Sequence, residues 1–266
     1  MDKIKRVALV TGAAGGIGKE TAENFLKSGM RVAIADIQNE LGLACVKELS
    51  EFGECEFFHC DLTSDTQMEA LVPDVVKRFG RLDVLVNNAG IPNRSPIGSV
   101  THEEYDKMFA VHLKAAFFLS QAAAEHMKSE RWGRIVNVSS PRAILPDVVH
   151  PVYGICKAAV RSMTEFFAFG LSRWNIRVNA ISPAMIYTPM TEHYRHDEVS
   201  RITDSLTPSG CYQNLSSVID VIAFLISDAS ASITGQTLET EAGMRYVNMF
   251  NLGQYEKMQF PKTWEE

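Results

Sequence analysis

The chain has 266 residues, 46% of them hydrophobic, and a formal net charge of −6. That size and apolar content suit one α/β domain with a substantial core, and the acidic balance argues against an electrostatic nucleic-acid surface. Five cysteines (Cys45, Cys55, Cys60, Cys156, Cys211) with no CxxC pair favour reduced thiols in a cytoplasmic protein over a disulfide framework or a metal site, and no apolar run is long enough for a membrane span.

A basic start precedes an apolar run from Val7, but glycines break that run, which fits a phosphate loop better than a signal peptide. Residues 6–10 read as a strand. Thr11-Gly12-Ala13-Ala14-Gly15-Gly16-Ile17-Gly18 follows, and a helix is predicted over 16–27. Strands come next at 31–36 and 55–60, then a helix at 65–79 and a strand at 84–87. A long helix is predicted over 101–128, then a strand at 134–139, a helix at 153–174 and a strand at 177–181. The stretch 184–214 has no strong period and carries His193, Tyr194, Arg195 and His196, which marks it as a lid. A last strand falls near 236–239. The tail, 244–266, carries Phe250, Tyr255, Phe260 and Trp264, so it is expected to pack on its own subunit or on a neighbour. Strand–helix alternation of this kind predicts right-handed βαβ units and a single domain, 1–266, with a parallel sheet covered on both faces.

The glycines after the first strand have separate tasks. Gly12 permits the tight turn, Gly16 lets backbone approach a pyrophosphate, and Gly18 allows the helix to pack closely on the sheet. The helix N-terminus then offers free N–H groups and a positive dipole end to phosphates. The second strand ends in Asp36, whose carboxylate can accept hydrogen bonds from both ribose hydroxyls and would repel a 2′-phosphate. Residue 37 is isoleucine and not arginine, so NAD is expected over NADP.

Tyr153 and Lys157 stand four residues apart, so on a helix they share a face. Hydride transfer to NAD leaves an alcohol proton that needs a base. A free phenol has a pKa near ~10 and is a poor one. Lowering it by about 2 units takes about 2.7 kcal/mol, and one cation at ~4 Å in an effective dielectric of ~20 supplies about 4 kcal/mol. Lys157 is therefore expected to suffice. Ser140, with Ser139 as its competitor, can stabilise charge developing on the substrate oxygen.

With these motifs in order, the chain resembles the short-chain dehydrogenase/reductase family over roughly residues 5–243. The resemblance implies a doubly wound (Rossmann) seven-stranded parallel sheet and a dimer or tetramer. It also implies a catalytic Ser140, Tyr153 and Lys157. By resemblance Ala14, Ile17 and Ile37 lie beside the cofactor, Asp61 and Leu62 flank the adenine, and Asn88, Ala89 and Gly90 of the Asn87-Asn88-Ala89-Gly90 turn lie along it. Tyr153, Lys157 and Pro183 border it as well, while Ile186 and Thr188 meet the nicotinamide carboxamide.

The chain departs from the family pattern in three places. His112 replaces an asparagine that holds a water relay to the lysine, Pro183-Ala184 replaces Pro-Gly, and Thr240-Glu241-Ala242-Gly243 replaces Val-Asp-Gly-Gly. Histidine can donate and accept, so a relay through His112 is expected. Arg94, Arg142 and His150, with Arg195, could clamp an anionic small-molecule substrate. The expected activity is NAD(H)-dependent interconversion of a secondary alcohol and a ketone. The rivals are a non-redox or epimerising reaction on the same scaffold, and a non-catalytic NAD sensor.

Overall fold

The computed structural model describes residues 5–92, 94–184, 186 and 214–246. Its strands are β1 (Val7–Thr11), β2 (Arg31–Asp36), β3 (Cys55–His59), β4 (Val84–Asn87), β5 (Gly133–Val138), β6 (Ile176–Pro183) and β7 (Thr237–Thr240). They form one sheet in the order β3-β2-β1-β4-β5-β6-β7, with every pairing parallel. The α-helices are α1 (Gly16–Lys27), α2 (Asn39–Leu49), α3 (Asp65–Phe79), α4 (His102–Phe109), α5 (Ala115–Glu130), α6 (Pro151–Leu171) and α7 (Leu215–Ile226).

β1 and β4 are buried along their whole length. They read as near-continuous apolar runs because helices cover both faces of the sheet. Alternate residues feed two cores, as a period of two requires. Leu9, Leu85 and Ile135 pack with Leu71 and Val75 of α3 and Leu119 of α5. Val10, Val86 and Val136 pack with Phe25 of α1, Leu49 of α2 and Ile222 of α7.

Strand order reverses at the β1–β4 pair, where Ala8, Leu9 and Val10 face Val84, Leu85 and Val86. β2 and β3 lie to one side and β5, β6 and β7 to the other. The loops leaving the carboxyl ends of β1 and β4 therefore diverge and open a crevice. α3 starts at Ser64, whose side chain accepts from the Gln67 N–H, and stops at Gly80 with φ 79. α4 starts with a reciprocal capping box between Thr101 and Glu104.

The single helix expected over 101–128 is interrupted. α4 passes into a π-helical turn at Ala110–Lys114 before α5 begins. Hydrophobic periodicity hides the change because Val111 and His112 stay buried through it. The helix expected at 153–174 begins earlier, with Pro151 in its first turn, and ends in a 3₁₀ turn at Ser172–Trp174. Proline suits that position because its missing N–H would have no partner there. The lid of 184–214 lies outside the described residues except for Ala184, Ile186 and Asn214. So does the aromatic tail beyond Met244–Tyr246, which form a short 3₁₀ turn.

Candidate active site

Thr11 and Asn88 stitch the two diverging loops together. Thr11 Oγ1 accepts the N–H groups of Asn88 and Ala89, each at 3.1 Å. Asn88 Nδ2 donates back to the carbonyls of Thr11 and Gly12 at 2.9 and 3.0 Å. This clamp leaves no room for a side chain at Gly12 or Gly18. Gly12 has φ +63, and a Cβ there would lie 2.7 Å from Ala89 Cα. A Cβ on Gly18 would lie 2.4 Å from the Gly12 carbonyl oxygen. α1 opens on Gly15 with no side-chain cap and no acidic residue in its first turn, so its first N–H groups face the crevice unspent.

Asp36 closes the far end of the cradle. Its Oδ2 accepts the Ala14 N–H at 3.0 Å and its Oδ1 the Gln38 N–H at 3.0 Å. The carboxylate thus shapes the phosphate loop as well as facing the cleft. The cleft has a volume of about 450 Å³ and runs from Gly15, Gly16, Ile17, Asp36 and Gln38 past Asn88 and Gly90. It continues to Ser140, Arg142, Tyr153 and Lys157, with Ile91, Leu145, Pro183, Ile186 and Met244 as its apolar wall.

The two serines at the end of β5 divide the work. Ser139 donates its hydroxyl to the Lys157 carbonyl at 3.0 Å, tying the strand to α6. Ser140 Oγ accepts the Arg142 N–H at 3.3 Å and stands close enough to the Tyr153 phenol to lower its pKa. Lys157 is 4% exposed and donates from Nζ to the Val138 carbonyl at 2.7 Å. Burial pulls its pKa down to about 8.

The expectation that Lys157 depresses the phenol does not describe this site. Burial pushes the Tyr153 pKa up, and the opposing effects come from the Ser140 hydrogen bond and the Arg142 charge. The Lys157 ammonium is itself desolvated and turned to a carbonyl, 5.6 Å from the Tyr153 ring centroid.

His112 sits in the π-helical turn, 3% exposed, with its ring edge-on to Tyr153 at 5.2 Å. Nε2 lies 3.0 Å from the Ile91 carbonyl oxygen and 3.2 Å from the Ile91 amide nitrogen, so each tautomer has a partner. Nδ1 is buried with no partner among the described residues. The ring lines the main cleft and also a small second cavity shared with Asn87 and Lys157. Burial, then the Lys157 charge, drives its pKa down to about 3.

The model of the family described as enoyl-(acyl carrier protein) reductase matches residues 12–245. The chain is 38% identical to a 3-oxoacyl-(acyl-carrier-protein) reductase of Thermotoga maritima, over 90% of this chain and 97% of that one.

The chain is a short-chain dehydrogenase/reductase.

A diacetyl reductase, (S)-acetoin forming, of Staphylococcus epidermidis is 34% identical over 91% of this chain and 100% of its own. The crystal structure of an NAD⁺-bound xylitol dehydrogenase superposes with a TM-score of 0.84 at 28% identity, covering 91% of this chain and 100% of that one. As a short-chain dehydrogenase/reductase the protein is an oxidoreductase of a family that uses a nicotinamide cofactor and small-molecule substrates. Its own residues fit such a cofactor: the loop is too tight for a Cβ at Gly12 or Gly18, and an uncapped helix end faces the crevice. No helix among the described residues is long and apolar enough to cross a membrane.

Several residues singled out in the sequence fall elsewhere in this short-chain dehydrogenase/reductase. Gly18 and Ala14 shape the loop from beneath and are not on the cleft wall. Ile37 is 55% exposed, beside the cleft. Asp61 folds its carboxylate onto the N–H and hydroxyl of Thr63, which holds its pKa low, and Leu62 packs on the core. Leu62 and Ala89 line the small cavity.

The four-group anion clamp is not assembled among the described residues. Arg94 is exposed and off the cleft wall, and Thr188 and Arg195 lie outside the described residues. His150 is held away by Asp147, whose Oδ2 takes its Nδ1 at 2.7 Å. Of the three that lie among the described residues, only Arg142 lines the cleft. Gln38 joins the cleft wall although no motif marks it; its position two residues after an aspartate is the signature of an Asx turn.

Proposed function

We propose that the protein interconverts a secondary alcohol and a ketone with NAD(H), Tyr153 acting as the proton-transfer group. The observation that carries this reading is one cleft with the glycine cradle and Asp36 at one end and Ser140, Tyr153 and Lys157 at the other. Bound nicotinamide supplies the hydride acceptor or donor. Ser140 holds the substrate oxygen by a hydrogen bond. The phenol of Tyr153, kept protonated by burial, gives its proton to that oxygen in the reducing direction. Spectrophotometric assay of NADH turnover with a panel of ketones and secondary alcohols tests this reading, and no turnover on any of them would sink it.

NAD is the proposed cofactor because the Asp36 carboxylate lines the cleft beside the glycine turn and would repel a 2′-phosphate, with no arginine at position 37 to receive one. The NAD⁺-bound xylitol dehydrogenase neighbour supports it. Asp36→Ala should raise NADP affinity relative to NAD. It should also lower affinity for both, since the Ala14 and Gln38 amides lose their acceptor. Dissociation constants from NADH and NADPH fluorescence check this, and tighter NADPH binding by the wild type would contradict it.

His112 is proposed to relay protons between the cleft and Lys157 as a neutral imidazole. Its unpartnered Nδ1 and the small cavity shared with Lys157 support the role. The same burial makes a stability prediction. Above pH 6.5 the ring is neutral folded or unfolded and costs nothing. Below pH 6.5 the unfolded chain takes up the proton while the folded one resists until about pH 3, so stability falls through that window. By pH 5 the loss from this group is about 2 kcal/mol. His112→Asn should flatten that slope in urea melts at successive pH values and shift the pH–rate profile. Superimposable profiles would reduce the residue to packing.

A homo-oligomer is proposed on the apolar face shared by α5 and α6. Phe166 and Phe169 are 77% and 89% exposed, and Phe117 stacks edge-on against both Phe118 and Phe167 to bridge the helices. Covering each large side chain contributes about 1.5–3 kcal/mol, and one face on adjacent helices can pair with its own copy about a two-fold axis. The double change Phe166→Glu, Phe169→Glu should reduce the mass measured by light scattering. A cytoplasmic setting is proposed on the free thiols of Cys45, Cys55, Cys60 and Cys156.

A further inference from the structure

Between β5 and α6 a second polar cluster stands against the cleft. Its hub is Asp147. Oδ1 accepts the N–H groups of Val149 and His150 at 3.0 and 2.8 Å. Oδ2 takes His150 Nδ1 at 2.7 Å and Arg142 Nε at 3.0 Å. Both carboxylate oxygens are thus spent. His150 is also the N-cap residue of α6, so the hub fixes the loop to the helix that carries Tyr153 and Lys157.

The backbone of Arg142 is pinned as firmly. Its N–H meets Ser140 Oγ at 3.3 Å, and its carbonyl oxygen sits 2.9 Å from where a Cβ on Gly154 would be. The arginine is thereby wedged between the catalytic serine and the first turn of α6. Asp147 engages the guanidinium through Nε. Among the described residues, Asp147 is the one hydrogen-bonding or ion-pair partner of the guanidinium. Arg142 lines the cleft and Asp147 does not, and the arginine side chain is 43% exposed, so an incoming ligand can reach it.

We infer that Arg142 is a substrate-recognition residue that binds a carboxylate on the alcohol or ketone, and that Asp147 is the positioning residue that presents it. The inference rests on the reading of the cleft as an alcohol–ketone site and adds the substrate class. A guanidinium with five N–H donors and one carboxylate partner has donors to spare, and its planar fork matches a carboxylate better than a hydroxyl or an amide. Asp147 does not repel an incoming anion as a bare carboxylate would, because three hydrogen bonds and the Arg142 ion pair already engage it. The remaining wall, with Ile91, Leu145, Ile186 and Met244, suits an apolar chain between the carbinol and the acid.

The test uses the full chain loaded with NADH and a set of secondary hydroxy acids in which one to three carbons separate the carbinol from the carboxylate. Each acid is paired with its methyl ester, and binding is read by calorimetry, without turnover. At least one acid should bind about tenfold more tightly than its ester, as about 1.4 kcal/mol of charge-assisted bonding requires. That ratio should fall toward one in Arg142→Gln and be partly kept in Arg142→Lys. In Asp147→Asn, where the fork is present but loose, the acid should lose affinity and the ester should not. Thermal melts confirm that each variant is folded, and Arg142→Lys carries the test if the glutamine variant is not. Equal binding of every acid and ester to the wild type, or a ratio untouched in both arginine variants, overturns the inference. NADH turnover of neutral alcohols by the wild type is a separate readout. It decides whether the cleft is an alcohol–ketone site whatever the outcome with acids.

Discussion

Replacing Tyr153 with phenylalanine should cut turnover by about 10²–10⁴-fold, the range expected when a positioned acid–base group is lost. The change removes one oxygen atom and little else. The ring keeps its edge-on contact with His112 and its place beside Met108, Val152 and Cys156. Ser140 keeps the Arg142 N–H as a partner, so the end of β5 has no reason to move. The glycine cradle is built from β1, α1 and β4 and does not touch the phenol. Affinity for the cofactor should therefore stay within about twofold of wild type, well under the 1.4 kcal/mol of a tenfold change. Steady-state rates on any substrate found in the panel, set beside NADH titrations, separate the two effects. Near-wild-type turnover would show that another group moves the proton.

Adding a single methyl at Gly18 should be about as damaging by a different route. A Cβ there falls 2.4 Å from the Gly12 oxygen, 2.7 Å from Asn88 Nδ2 and 2.8 Å from Ala13 Cα. Two of these atoms are backbone, and the third is held by two hydrogen bonds to the Thr11 and Gly12 carbonyls. None can swing aside, so α1 must lift from the loop. Overpacking of this kind typically costs about 1–3 kcal/mol, and here it also spreads the N–H groups that face the phosphates. Gly18→Ala should lower the melting temperature and weaken cofactor binding together. Gly170→Ala is the matched control. A Cβ there meets nothing within 4 Å. Alanine in a helix is worth about 0.5–1 kcal/mol over glycine, so that variant should be as stable or more so. A Gly18→Ala protein with unchanged melting and affinity would mean the close packing of cradle on helix is not needed.

The parts of this enzyme that were legible in the sequence are the ones whose chemistry is local. The glycine turn, the acid at the end of β2 and the i, i+4 pair on α6 each sit within one element. Their residue types follow from the dihedral, charge or face required there. The central strands were legible because burial on both faces leaves runs such as Val7–Thr11, and the outer strands β3 and β7, only partly buried, by their place in the alternation. What stayed hidden depends on partners distant in sequence. Ser139 and Ser140 differ only in that one meets the Lys157 carbonyl and the other the Tyr153 phenol. The direction of the Tyr153 shift depends on how deeply packing buries it and on where Lys157 turns, to Val138. His150 and Arg142 looked like members of one clamp until Asp147, unremarked as a carboxylate in a loop, sorted them.

The π-helical turn at Ala110–Lys114 has a consequence for insertions and deletions. A π turn holds one residue more than an α turn would. Met108, just before it, packs with Val152 and Cys156 at the start of α6, while Leu119, beyond it, packs under the sheet. Removing one residue from the π turn would restore regular winding and leave the two halves nearly in phase, because the turn already absorbs the extra residue. Met108 and Leu119 would keep their cores, and the change would fall on the turn itself, where His112 would lose its place against Tyr153. A further insertion has nothing to absorb it and would rotate one half by about 100° against the other. Loss of a residue here should therefore be felt in the site and gain of one in the fold.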